Sequence, residues 1–301
     1  MRALIVGCGY VGLPLGVELV KQGHEVFGLR RSAGQIQSMI DGGLKPLTAD
    51  ITKPDELANL PAPFDWVVNT VSSNKGGVSE YQEVYLSGTR NLVEWLAPMP
   101  PKKFVYTSST GVYGQSDASL VKETSPTDPV SPTSKVLVET EKVLLEAFRT
   151  KQFPAVILRV AGIYGPDRTH FLGEFIKDRA RMPAKGERIM NMIHRDDLVS
   201  VIISALKNGR AGEVYNVVDD EPVAQIQFYR WLAEALGKEL PPFSGEEPER
   251  KRVATSKKVS NRKLKMELGV QLKYPTFRQG YTAEMIRLDR AGLLEAKPGS
   301  E

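Results

Sequence analysis

Ala3-Leu4-Ile5-Val6-Gly7-Cys8-Gly9-Tyr10-Val11-Gly12 is the stretch on which the fold turns. Its first four residues form a continuous apolar run, the pattern of a strand buried on both faces. Behind the glycines, Val11, Leu15 and Leu19 recur at every fourth position and share one helical face. Gly23-His24 ends that helix, and Glu25-Val26-Phe27-Gly28-Leu29 reads as a second strand. Strand, glycine turn, helix and strand make a mononucleotide-binding unit. Gly7 permits the tight turn, Gly9 lets the amides of Tyr10 and Val11 approach a pyrophosphate, and Gly12 lets helix and strand pack closely. The helix N-terminus adds amide donors and a partial positive charge. Pro14 is tolerated in a first helical turn.

Working outward, Arg30-Arg31 follows the second strand. A unit preferring NAD places a carboxylate there to receive the adenosine ribose. Two guanidinium groups suit a 2′-phosphate instead, so the expected cofactor is NADP, with NAD the alternative. Leu44 to Leu47 reads as a third strand, with Asp50 and Ile51 at its tip bounding an adenine. Trp66 to Thr70 is a fourth strand, placing Thr70 and Val71 at its carboxyl end.

Alternation continues along the chain. Asp55 to Leu60 reads as a short helix, Ser79 to Ala97 as a long one, Phe104 to Thr107 as a strand, a helix opens at Pro132, and Ala155 to Val160 is another strand. Strands and helices alternating at these lengths predict a doubly wound parallel α/β sheet, a Rossmann-type fold. Beyond it come helices at 196–206, 226–236, 261–268 and 276–288, a strand at 214–217, a loop at 241–248 and a frayed end. The expected division is a dinucleotide-binding domain of residues 1–165 plus 194–218, and a smaller substrate cap of 166–193 plus 219–301.

Composition narrows the function classes. In 301 residues, 40 basic against 36 acidic side chains leave a net charge of +4, too small and too dispersed to argue for nucleic acid. The densest basic stretch, Arg250 to Lys263, reads as a solvated face. A single cysteine excludes an intramolecular disulfide, and three scattered histidines offer no metal spacing. No apolar run is long enough for a membrane span, and the first residues already form a strand. The expectation is a cytoplasmic protein with a small-molecule substrate.

Further motifs carry a family resemblance. Phe104 to Ser109 with Val112-Tyr113-Gly114, Ser134-Lys135 with Glu139, Leu158-Arg159-Val160 with Tyr164-Gly165-Pro166, His194 to Leu198, and Ser260-Asn261 with Tyr274-Pro275-Thr276 occur in the order of extended short-chain dehydrogenases, the NAD-dependent epimerase/dehydratase group. The chain resembles that group over nearly its whole length. Its GxGxxG turn departs from the commoner GxxGxxG and points to an atypical branch. The resemblance implies that Ser109 orients the substrate oxygen, that Lys135 holds the nicotinamide ribose, and that helices around 80–97 and 133–149 form a homodimer. The proton-relay tyrosine should stand four residues before the lysine. Ser131 stands there, and a serine hydroxyl titrates too high to replace a phenol near neutral pH. No tyrosine lies between Tyr113 and Tyr164, so no shift of register restores the pair. Tyr113, Tyr164, His170 or Lys135 itself are the alternative acid/base groups, with Tyr113 the chosen catalytic candidate beside Ser109 and Lys135. Arg168, His170, Arg179, Arg188 and Arg250 are candidates for meeting an anionic substrate. The expected activity is an NAD(P)-dependent oxidoreductase or epimerase-like reaction on a carbonyl or hydroxyl compound. The rival is a non-catalytic NADP-binding regulatory protein.

Overall fold

The computed structural model describes residues 1–32, 34, 36–73, 76–182, 186–243 and 255–294. The chain opens with β1 (Arg2–Val6), α1 (Gly12–Lys21), β2 (Glu25–Arg30), α2 (Ile36–Asp41), β3 (Lys45–Thr48), α3 (Pro54–Ala58) and β4 (Trp66–Asn69). It continues through α4 (Val78–Tyr81), a π-helical turn (Gln82–Ser87), α5 (Gly88–Leu96), β5 (Lys103–Ser109), a 3-10 turn (Thr110–Val112), β6 (Leu120–Val121) and α6 (Pro132–Lys151). Next come β7 (Ala155–Val160), β8 (Gly162–Tyr164), α7 (His170–Ile176), β9 (Ile189–Met190), β10 (Met192–His194) and α8 (Arg195–Asn208). The last elements are β11 (Val214–Val217), β12 (Val223–Ala224), α9 (Gln225–Leu236), β13 (Lys258–Val259), α10 (Arg262–Leu268) and α11 (Phe277–Arg290).

Seven strands form one parallel sheet in the order β11-β7-β5-β4-β1-β2-β3. The chain winds outward from β1 to β3, then crosses back to β4 and winds the other way. The reversal lies between β1 and β4, and ligands of such sheets bind in the crevice at the carboxyl ends of those strands. The glycine turn and Thr70-Val71 occupy that crevice. One face of the sheet packs α1, α8 and α10 through Leu15, Leu19, Leu198, Ile202 and Leu264. The other packs α3, α5 and α6 through Leu57, Leu92, Leu96 and Leu144. β4 and β7 are buried at every residue, as two covered faces require. A further apolar cluster joins α7, α9 and α11 through Leu172, Phe175, Phe228, Phe277 and Tyr281.

The sequence misses several features, the short helices α2 and α7 among them. The helix expected over 79–97 contains a π turn at Gln82–Ser87, a single-turn expansion that sequence periodicity does not register. The two- and three-residue strands β6, β8, β9, β10, β12 and β13 form three small pairs outside the main sheet, too short to leave a periodic signal. Residues 244–248 of the expected loop, Arg250 to Arg252 of the basic stretch and the end from 295 lie outside the described residues. Among the described residues no helix is long and apolar enough to cross a membrane.

Candidate active site

The sheet's switch point opens into a cavity of about 1130 Å³, above the roughly 300–1,000 Å³ that a drug-sized ligand fills. Its floor is the glycine turn. Gly7 has φ +84°, and a Cβ there would lie 2.7 Å from the Val71 amide nitrogen. A Cβ on Gly12 would lie 2.6 Å from the Gly7 carbonyl oxygen, so Gly12 serves packing behind the cavity. Gly9 is different: a Cβ there would meet only Gly7 O, at 3.9 Å. Nothing in the chain demands glycine at that position, whereas a molecule lying on the turn would. The Gly7 and Cys8 amides donate to Leu29 O, and Thr70 Oγ1 donates to Gly7 O at 2.9 Å. Val11 caps α1 with no side-chain hydrogen bond, and the first turn holds no acidic residue. Leu13 and Leu15 donate to Gly9 O and Val11 O and Pro14 has no N–H, so the donors left for an anion are the amides from Tyr10 to Gly12. These features fit a dinucleotide pyrophosphate.

The other cofactor candidates line the same cavity: Tyr10, Val11, Arg30, Arg31, Asp50, Ile51, Thr70 and Val71. Arg30 Nη1 donates to Cys8 O at 3.0 Å, bracing the turn, while Arg31 is exposed at the rim. The Asp50 carboxylate accepts from the Thr52 amide and hydroxyl at 3.0 and 2.8 Å. The Tyr10 ring lies under the Arg168 guanidinium, 4.7 Å from its centroid, and burial pushes its phenol up to about 12.

The corner around Ser109 corrects two expectations. Ser109 lines the cavity, and its Oγ accepts from the Gly111 amide at 3.0 Å. A Cβ on Gly111 would lie 3.2 Å from Ser109 Oγ and 3.4 Å from Ser134 Oγ, so the two hydroxyls flank that residue. Lys135, however, sits on the exposed side of α6 and does not line the cavity. The cause is local. Ser131 is the extended N-cap of α6, with φ −62° and ψ 125°, so the four-residue helical spacing does not relate it to Lys135. Its hydroxyl instead meets Thr133 Oγ1 at 2.9 Å. The helical pair of that spacing facing the cavity is Thr133 and Leu137, and neither titrates near neutral pH.

Tyr113 is also misplaced for chemistry. Fully buried behind β5, its phenol donates to Asn216 Oδ1 at 2.7 Å and accepts from Arg159 Nη1 at 2.9 Å. Arg159 in turn holds Glu141 at 2.7 Å, and Ser108 Oγ donates to the same carboxylate at 2.6 Å. This network satisfies a buried charge pair; Tyr113 stays out of the cavity. Tyr164 does line it, stacked on Tyr281 with centroids 4.4 Å apart, but burial raises its phenol far above the ordinary value. His170 and Arg168 are exposed on the cavity rim and Arg188 is half-buried in its wall. Arg179 pairs with Glu174 at 2.8 Å away from the cavity, and Arg250 lies outside the described residues.

Several cavity residues escaped the sequence reading, and one of them, Lys257, corrects the expectation of a solvated basic face. Lys257 is 4% exposed and lines the cavity. Its Nζ donates to Thr255 Oγ1 at 2.8 Å and to Tyr113 O at 3.1 Å. Burial first, then the nearby Arg188 charge, pull it down to about 8. The basic run around it hid the signal, which is strand alternation: Lys258 is exposed while Lys257 and Val259 are buried.

A parallel sheet with a glycine turn, an uncapped helix and a large cavity at its switch point defines a dinucleotide-fold protein of the extended short-chain dehydrogenase type. The chain belongs to the NAD-dependent epimerase/dehydratase family, whose model matches residues 3–218. It is a family of NAD-binding proteins. Protein YeeZ of Escherichia coli K12 is 29% identical over 281 residues, 91% of this chain and 96% of that protein. A functionally unknown conserved protein from Silicibacter pomeroyi superposes with a TM-score of 0.79 at 28% identity, covering 95% of this chain and 99% of that one. A double mutant of the dTDP-glucose 4,6-dehydratase from Streptomyces venezuelae, solved with NAD and DAU bound, has a TM-score of 0.84 at 22% identity over 98% of this chain and 100% of that one, a likeness of fold.

Proposed function

We propose that the cavity binds a nicotinamide dinucleotide, NADP(H) in preference to NAD(H), and that the chain is an oxidoreductase or epimerase-like enzyme acting on a carbonyl or hydroxyl compound. The observation that carries this reading is Gly9, a glycine whose missing Cβ opens onto the cavity rather than onto the chain. The uncapped amides of α1 hold the pyrophosphate, and Arg30 and Arg31 meet a 2′-phosphate with charge-assisted hydrogen bonds. Asp50 and Ile51 bound the adenine, and Thr70 and Val71 line the path toward the Ser109 corner. When bound, the nicotinamide supplies hydride chemistry. Ser109, with Ser134 beside it, orients the reacting oxygen, and Arg168 and Arg188 favour an anionic substrate.

The experiment is a fluorescence titration with NADPH and NADH, repeated on Arg30→Ala and Arg31→Ala. NADPH should bind more tightly than NADH, and each substitution should weaken NADPH by about tenfold, the worth of one such contact. Failure of the chain to bind either nucleotide refutes the reading. A second reading, a non-catalytic NADP-binding regulatory protein, is favoured by Thr133 and Leu137 on the cavity face of α6. Oxidation of NADPH by a carbonyl compound separates the two.

A further inference from the structure

If the cavity handles carbonyl or hydroxyl compounds, a proton must move, and the α6 face offers only hydroxyl and aliphatic groups. The other buried groups of the cavity are poorly suited, and His170 stands exposed on its rim. Burial holds the Cys8 thiol near 11 and the Tyr10 phenol near 12, and Tyr164 is raised further. Asp50 is tied to Thr52 at the adenine end, and Glu80 accepts from the Gly76 amide at 2.8 Å.

We propose that Lys257 is the proton-transferring residue of this cavity, a catalytic role that rests on the reading given under Proposed function. Its backbone is clamped from two sides. Ser256 donates its amide to Gln115 O and accepts from the Ala118 amide, and the Lys258 amide donates to Ser119 O. Opposite, the Ile189 amide donates to Ser256 Oγ at 3.1 Å. Asn191 donates to Lys257 O at 2.8 Å and accepts from the Val259 amide at 2.9 Å. This fixed segment delivers Nζ to the carbonyl of Tyr113, the residue that closes the 3-10 turn Ser109 begins. Ser109 and Lys257 line the same cavity, so one small molecule over the turn would meet the Ser109 hydroxyl and the Lys257 amine, directly or through one water. Two of the three Nζ donors are engaged among the described residues, and the third is available to a ligand.

The charged groups around Nζ favour easy release of a proton. Arg188, on the segment leading into β9, is the charge acting on it. Lys258 faces solvent, and the Tyr113 phenol is bound to Asn216 and Arg159 on the far side of the turn. No ion pair to Lys257 occurs among the described residues. In the reducing direction a bound reduced nicotinamide would supply the hydride pair to the carbonyl carbon and would itself be oxidised. The C=O π pair moves to oxygen, the Nζ–H bond breaks, an O–H bond forms, and the neutral amine recovers a proton from water. Oxidation of an alcohol runs the same steps backward, with the amine as base.

The test uses the full chain, NADPH and para-nitrobenzaldehyde as probe, with Lys257→Arg and Lys257→Met. Biosynthetic labelling with carbon-13 lysine gives each lysine Cε an NMR signal to titrate, with and without NADPH. The proposal expects the Lys257 signal to titrate near 8, apart from the other lysines. Both variants should bind NADPH like the parent while kcat falls about 100-fold or more, the lower bound for a lost general acid. Arginine keeps the charge and the hydrogen bonds but cannot release a proton, so a purely structural lysine would be rescued by it. A Lys257 signal titrating with the surface lysines, a Lys257→Arg variant with parental kcat, or a parent that binds NADPH but reduces no probe overturns the proposal. A parent that binds no nucleotide refutes instead the reading on which it rests.

Discussion

Replacing Lys257 by Met removes a buried charge at nearly constant side-chain length, and its effect on stability can be worked out in sign and size. The drop from 10.5 to about 8 corresponds to about 3 kcal/mol of unfavourable charge burial while the ammonium is present. Met removes that cost but leaves Tyr113 O and Thr255 Oγ1 without their donor, a loss of about 1 kcal/mol each. Near neutral pH the variant should therefore be more stable by about 1 kcal/mol. Because the folded value lies below the unfolded one, the unfolded chain holds more protons between pH 8 and pH 10.5. The parent gains stability as pH rises through that window. The difference should shrink and then reverse, moving by about 3 kcal/mol in total. Urea unfolding of both proteins at a series of pH values, compared at equal m, measures it. A difference that stays flat from pH 8 to pH 10.5 would refute the reasoning.

Tyr113→Phe should cost about 1–3 kcal/mol, since it leaves Asn216 and Arg159 short of a partner inside the fold, yet leave NADPH affinity unchanged. Denaturation and nucleotide titration of the same sample check both halves. Lys135→Ala, on the exposed side of α6, should alter neither quantity by more than about 0.5 kcal/mol. Asp219 is 2% exposed, and burial pushes its carboxyl up to about 8. A raised folded value gives stability that is complete below pH 3.8 and lost as pH rises through about 8. Asp219→Asn should remove that slope, up to about 6 kcal/mol, in paired thermal melts across the same range.

Much of the fold was legible because its signals are local and redundant. Ala3 to Val6, Trp66 to Asn69 and Ala155 to Val160 are apolar at nearly every position because both sheet faces are covered, and Gly7 and Gly12 mark the turn that joins sheet to helix. The proposed dinucleotide end of the cavity could be read from that turn, since the proposal needs only backbone and two arginines. The catalytic corner was less readable because it depends on where α6 begins. Ser131 and Lys135 have the right spacing in the sequence, but Pro132 opens the helix and leaves Ser131 extended. Tyr113 has the right chemistry, but the buried Arg159–Glu141 pair claims its hydroxyl. Lys257 was hidden among Arg250 to Lys263, where only tertiary pairing of β13 with β6 separates a cavity-facing amine from a solvated one.

The central claim is that the glycine turn carries a dinucleotide, and Gly9→Ala tests it most directly. Apart from its chain neighbours, a Cβ there meets nothing nearer than Gly7 O at 3.9 Å among the described residues, so the variant should fold and melt like the parent. If a pyrophosphate lies on the turn, the same methyl group occupies its place, and NADPH affinity measured by fluorescence titration should fall by about 100-fold or more. Parental stability together with lost binding is the predicted result. Unchanged NADPH affinity in a folded Gly9→Ala protein would contradict the account.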